Sequence, residues 1–186
     1  MLESERFKKI QKNRKCFAYI GIFIVFQIIV MTVFGLTVMK IKTPSVRLRS
    51  VTVQTLESTS NTSFTATLIA EVTVKNKNFG SYRFDATKAN VTYGDVTLGS
   101  GDIIKSRAGL KKTKRLNVTI DVNSSGVSDN SLATELTSGN VTLTALSRVT
   151  GKVSLMGMMK KRKTANMNCS MIVNVPNKVV YDLTCK

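Results

Sequence analysis

The stretch Phe64-Thr65-Ala66-Thr67-Leu68-Ile69-Ala70-Glu71-Val72-Thr73-Val74-Lys75 decides the fold class. Phe64, Ala66, Leu68, Ala70, Val72 and Val74 fall at every second position, and the residues between them are mostly Thr, Glu and Lys. A period of two belongs to a strand, whose side chains point alternately to opposite faces. This segment therefore reads as a strand with one buried face and one wet face. Moving outward, Leu116, Val118, Ile120 and Val122 alternate with Asn117, Thr119 and Asp121, and Val141, Leu143 and Ala145 with Asn140, Thr142 and Thr144. Met167, Cys169, Met171, Val173 and Val175 do the same against Asn166, Asn168, Ser170, Ile172 and Asn174. Weaker candidates lie at 46–53, 82–87, 90–98, 149–156 and 179–184. Eight or nine short strands separated by turn residues predict one all-β domain, a sandwich or barrel with a solvated face on each sheet. One short helix is expected from Asp129 to Thr137, with Asp129 or Ser131 as cap and Gly139 as stop.

Before this domain the composition changes sharply. Residues 16–39 read CFAYIGIFIVFQIIVMTVFGLTVM, 24 positions without a charge. A helix of that length reaches roughly 36 Å, enough to cross a ~30 Å hydrocarbon core with some tilt. A cleaved signal peptide is the competing reading. The run is longer than the usual apolar region of such peptides, and no A-x-A-like site follows before Lys40, so an uncleaved signal anchor is expected. The chain thus divides into a basic tail (1–15), the anchor (16–39) and the domain (40–186).

Arg6, Lys8, Lys9, Lys12, Arg14 and Lys15 precede the apolar run, and Lys40, Lys42, Arg47 and Arg49 follow it. Six against four favours a cytoplasmic N-terminus. The Asn-x-Ser/Thr triplets agree. Asn61, Asn90, Asn117, Asn123, Asn140 and Asn168 each begin one, and all six lie after the anchor. Roughly three would arise by chance in so Ser/Thr-rich a tract. Residues 40–186 are therefore expected in the lumen or outside the cell. Asn90-Val91-Thr92, Asn117-Val118-Thr119 and Asn140-Val141-Thr142 also fit the polar face of a strand with an inward Val. Asn61 and Asn123, in loop-like stretches, are the better acceptors.

The chain has three cysteines. Cys169 and Cys185 each lie eight residues from Asn177, within the turn-like Pro176-Asn177-Lys178. A hairpin turning there would set the two thiols opposite each other, within disulfide range. Two buried free thiols are the alternative. Cys16, at the cytoplasmic edge of the anchor, reads equally as a core thiol or as an S-palmitoylation site.

Charge and missing residues narrow the function. The sequence has 28 Lys+Arg, 11 Asp+Glu and no His, for a net charge of +17. Without His the commonest general base, the Ser-His and Cys-His nucleophile pairs and most zinc sites are gone. No glycine-rich phosphate loop, metal-ligand cluster or paired carboxylate motif appears. The expectation is a non-enzymatic protein without a cofactor. Beyond the tail stand 22 basic and 9 acidic residues. Two clusters are prominent: Lys105, Arg107, Lys111, Lys112, Lys114 and Arg115, and Lys160, Lys161, Arg162 and Lys163. They read either as solvated strand ends that keep the domain soluble or as a surface for a polyanion. Across a membrane nucleic acid is not an expected partner, which leaves de-esterified pectin and anionic lipid headgroups.

The layout resembles a plant family, the late embryogenesis abundant type 2 proteins, in their membrane-anchored harpin-induced-like or hydroxyproline-rich glycoprotein-like branch. The carrying residues are Ala70-Glu71-Val72-Thr73-Val74 leading into Asn76-Lys77-Asn78, similar to the family's Asn-Pro-Asn turn. Next come Ala89-Asn90-Val91-Thr92-Tyr93-Gly94-Asp95-Val96-Thr97-Leu98-Gly99, similar to its tyrosine-glycine hairpin, then Leu116-Asn117-Val118-Thr119-Ile120, and last the pair Cys169 and Cys185. The resemblance implies a fibronectin-III/Ig-like β-sandwich, an endomembrane or plasma-membrane location, and association with defence and stress responses. Lys77 stands where the family's turn carries proline. The family's Asn-Gly-Asp adhesion tripeptide is absent, because Gly94-Asp95 follows Tyr93. The leading expectation is a membrane-tethered interaction module at the wall or lumen face. Its rival is a carrier or sensor of lipid or another apolar ligand held between the sheets, with Met156, Met158 and Met159 as lining; that rival requires a sizeable apolar cavity.

Overall fold

The computed structural model describes residues 2–60, 63–127, 130–155 and 159–186. It separates into two compact units, residues 1–40 and 41–186. The first is a single helix, α1 (Leu2–Val38). Its segment Cys16–Val38 is long and apolar enough to cross a membrane, and its side chains are exposed along the span.

The second unit holds ten strands and one short helix. The strands are β1 (Ser45–Ser60), β2 (Ser63–Lys75), β3 (Ser81–Phe84), β4 (Thr87–Tyr93), β5 (Val96–Ile103), β6 (Ser106–Ala108), β7 (Thr113–Asn123), β8 (Asn140–Leu155), β9 (Met159–Asn174) and β10 (Val179–Cys185). All pairings are antiparallel, in the order β1-β2-β7-β5-β4-β8-β3-β6, with β9 on the other edge of β8 and β10 beyond it. β1 also lies against β9 and β10, so the sheet rolls nearly into a barrel. The expected all-β domain is present, but its strands join into one continuous sheet rather than two separate ones. The join lies at β5, which pairs with β7 at Gly99↔Val122 and Ser100↔Asp121. A Cβ at position 99 would sit 2.0 Å from the Asp121 carbonyl oxygen. Only glycine lets the two backbones approach there.

The alternation that decided the fold is realised throughout. In β2, Phe64, Ala66, Leu68, Ala70, Val72 and Val74 are buried, and the residues between them are half-buried. Five expectations change in detail. The segments 140–145 and 149–155 form one 16-residue strand, β8, and residue 156 of the expected strand lies outside the described residues. The weak strand at 90–98 is a hairpin, β4 and β5, turning at Gly94 with φ +53°. Positive φ is what that turn requires, and glycine supplies it without steric cost. The weak strand at 82–87 is the break between β3 and β4, which run end to end along one edge of β8. β6 was not foreseen, being only three residues long. Several strands reach 11–16 residues, longer than the short strands expected.

The short helix α2 spans Asn130–Ser138, buries Leu132 and stops at Gly139, whose φ is +80°. Ser131 lies inside it, and Asp129 lies outside the described residues.

The two asparagines of the turn after β2 are buried and organise one end of the barrel. Asn76 Nδ2 donates to the Gly80 and Gly109 carbonyls at 2.6 and 2.8 Å, with the Ala108 carbonyl at 3.3 Å. Asn76 Oδ1 accepts from the Asn78 backbone N–H and from Asn78 Nδ2. Asn78 in turn binds both the N–H and the carbonyl of Lys42. These bonds tie the 76–80 and 109–112 turns and the segment before β1 into one knot. Its organising side chains are Asn76 and Asn78, and Lys77 between them is exposed.

Candidate functional site

The cysteine pair is bridged, Cys169 to Cys185, across 16 residues. The turn occupies residues 175–178, as the sequence predicts. Next to the turn the register is Val179↔Asn174 and Tyr181↔Ile172. That register would leave the cysteines one residue out of step. A bulge between Tyr181 and Thr184, where Asp182 has φ +53°, shifts it to Thr184↔Ser170 and Cys185↔Cys169. Cys169 is buried, Cys185 is partly covered, and Cys16 is a free, exposed thiol.

Asn90, Asn117, Asn123, Asn140 and Asn168 are all exposed. Val91, Val118 and Val141, at the centres of three triplets, point into the core. Asn61 lies outside the described residues. Asn123 closes β7, and its side chain accepts the Ser125 N–H. Asn140 accepts a bond from Asn174. Asn90 and Asn168 stand on either side of Leu146 on adjacent strands.

The basic clusters are redistributed by the fold. Arg115 leaves its sequence neighbours and joins Arg47, Arg49, Lys75 and Lys77 around a surface concavity of about 370 Å³ on β1, β2 and β7. Its guanidinium lies 3.6 Å from Glu71. Lys111, at φ 55° in the turn before β7, sets its ammonium 4.1 Å from the centre of the exposed Phe79 ring. Lys112 and Lys114 are exposed beside it. Lys105 instead lines a second groove of about 580 Å³, with Arg83, Asp85, Lys152, Lys160 and Arg162 and the hydroxyls of Ser81 and Ser154. The run 160–163 is divided by the pleat: Lys160 and Arg162 face the groove, and Lys161 and Lys163 point to the other side of β9.

Across this groove and on to β6 the register aligns four cations, of which Arg83, Lys152 and Arg162 line the groove. Arg107 on β6 opposes Arg83 on β3, Arg83 opposes Lys152 on β8, and Lys152 opposes Arg162 on β9. Arg83, Lys152, Arg47, Arg49, Lys75 and Lys77 were not singled out by the sequence as site residues. Alternation does signal that Arg83 points outward, between inward Tyr82 and Phe84, but its neighbours in space depend on cross-strand register.

Beneath the row, Tyr82 is buried, with Val149 and Lys163 carbonyl oxygens at 3.3 and 3.2 Å from its hydroxyl. Burial, and secondarily the Asp85 charge, push this hydroxyl up to about 12. The folded state therefore holds the proton more tightly than the unfolded chain does. Its contribution is fully present below pH 10 and is lost as pH rises from there through about 12. Alkaline denaturation monitored across that window should show this slope, and Tyr82→Phe should remove it.

The interior is filled. An apolar void among Leu68, Val72, Val91, Ile120 and Met171 measures about 10 Å³. That is the space of one water at most, against several hundred Å³ for a ligand pocket. Met159 is exposed, and Met156 and Met158 lie outside the described residues. Among the described residues no three His, Cys, Asp or Glu side chains gather as a metal site would require.

No known family profile matches the chain. A late embryogenesis abundant protein of Arabidopsis thaliana is 27% identical to it over 178 residues, 92% of this chain and 83% of that protein. Among solved structures, an Arabidopsis thaliana protein determined in solution aligns with 70% of this chain and 82% of its own length, at 14% identity and a TM-score of 0.41. A solution structure described as a late embryogenesis abundant protein covers 78% and 79%, at 12% identity and a TM-score of 0.37. Over nine-tenths of its length the chain is therefore similar to a late embryogenesis abundant protein.

Proposed function

We propose that the protein is a non-enzymatic, single-pass membrane glycoprotein whose basic β-domain binds polyanions at the cell-wall or lumen face of a plant membrane. The anchor is the apolar segment of α1, with the N-terminus cytoplasmic and the plasma membrane as the location. The branch is the harpin-induced-like one, its context stress or defence, and its rolled sheet belongs to the fibronectin-III/Ig-like sandwich type. The observation that carries this reading is the contrast between surface and interior. Cations line two outer concavities, whereas the core leaves about 10 Å³. A carrier of an apolar ligand would show the reverse.

The test uses the full-length protein in nanodiscs of neutral lipid. Binding to a polyuronate and to vesicles containing anionic lipid is measured across a salt series. Affinity should fall steeply with salt, because each contact is screened or releases counterions. Binding that ignores salt would overturn the reading. Orientation has its own check. Glycosidase treatment of the expressed protein should increase its gel mobility. An unchanged band, with residues 40–186 cut by protease only after the plasma membrane is permeabilised, would reverse the topology.

A further inference from the structure

Like charges placed directly opposite on neighbouring strands destabilise a sheet. The row Arg107–Arg83–Lys152–Arg162 repeats that arrangement across three successive strand pairs. Strands are ~4.8 Å apart, well inside the ~8 Å screening length at physiological salt, so neighbours in the row repel each other. All four side chains are exposed. Lys160 and Lys105 add charge on either side, against the single carboxylate of Asp85 in the groove.

We infer that this row is the binding site for a linear polyuronate, a polysaccharide with one carboxylate on each sugar. The inference rests on the polyanion reading above and names its ligand and its groove. Three features select this chemistry. The cations stand in single file at about the length of one sugar ring, so successive carboxylates can meet successive strands. The site is a groove, which suits a chain better than the plane of a bilayer. Ser81 and Ser154 place hydroxyls beside the file for sugar hydroxyls, and no aromatic side chain lines the groove for a nucleic-acid base to stack on. A bound file of carboxylates converts the repulsion along the row into attraction. The row spans about 14 Å and thus fits about four sugars.

The experiment uses full-length protein in neutral-lipid nanodiscs with the dimer, tetramer and hexamer of galacturonic acid, the methyl-esterified hexamer, and vesicles containing phosphatidylserine. The tetramer should bind at least about tenfold tighter than the dimer, with little further gain for the hexamer, and the ester should not bind. Replacing Arg83, Lys152 and Arg162 together with Gln should weaken hexamer binding at least about tenfold and flatten its salt slope. The same variant should melt at a higher temperature than the parent, because the row's repulsion is relieved. A double variant at the other concavity, Arg47→Gln with Arg115→Gln, should weaken hexamer binding by much less than the triple variant does; an equal or larger loss there would move the polyuronate to that concavity. If the parent binds the hexamer and the triple variant binds it equally well, the groove assignment falls and the polyanion reading stands. Binding to vesicles but not to the hexamer overturns the polyuronate and keeps the polyanion. Binding to neither overturns both.

Discussion

Removing the Cys169–Cys185 bridge should lower the stability of the β-domain by roughly 2–5 kcal/mol, the usual cost of losing a native disulfide from a small domain. The bridge closes a loop of 16 residues, for which the chain-entropy model gives about 3 kcal/mol. The two single variants should not be equivalent. Cys169 is fully buried, so Cys169→Ser also places a hydroxyl in the core, whereas Cys185→Ser leaves its new hydroxyl near the surface. Denaturant melts of both variants and of the parent with and without reductant would measure this. Equal stability in all four, or alkylation of both thiols in the folded parent, would contradict the bridge.

Asn76→Ala should cost as much, roughly 3–5 kcal/mol. Its side-chain amide supplies the bonds to Gly80 and Gly109, and its carbonyl holds Asn78. Alanine would take the side-chain donor from the buried Gly80 carbonyl, leave Gly109 with the Lys112 N–H alone, and free Asn78 from its orientation, loosening Lys42 in turn. Asn76→Asp keeps the acceptor for Asn78 but turns a buried carboxylate oxygen toward the Gly80 and Gly109 carbonyls, so it should cost at least as much as alanine. A melt within 1 kcal/mol of the parent for Asn76→Ala, below the roughly 1 kcal/mol typical of one hydrogen bond, would refute the knot.

Both effects have different visibility in the sequence. The bridge was legible because two equal intervals flank a turn, although the bulge that makes the register work was not. Its marker, Asp182 at φ +53°, is an ordinary residue in an uncommon conformation. Buried faces of β2, β7, β8 and β9 were legible because alternation is a local property. The rolled sheet was not, since it depends on Gly99 meeting Val122 from a distant strand. The same limit split the basic residues. Sequence neighbours such as Lys114 and Arg115 looked like one cluster, yet Arg115 belongs with Arg47 and Lys75, while Arg83 and Lys152, far apart in the chain, stand opposite each other.

β8, like β2, has partners on both edges: β9 along all of it, β4 over residues 144–147 and β3 over residues 151–154. Among the described residues β10 pairs along its edge with β9 and β1 with β2, each on one side alone. Spontaneous opening should therefore begin at β1 and β10, with the disulfide keeping a detached β10 leashed to β9, while amides at the centre of β8 exchange with solvent only when the whole domain unfolds. Lys152 rides on that slowest segment. A polymer settling over it meets a surface that is already ordered, so little of the binding free energy is lost to freezing the protein into shape.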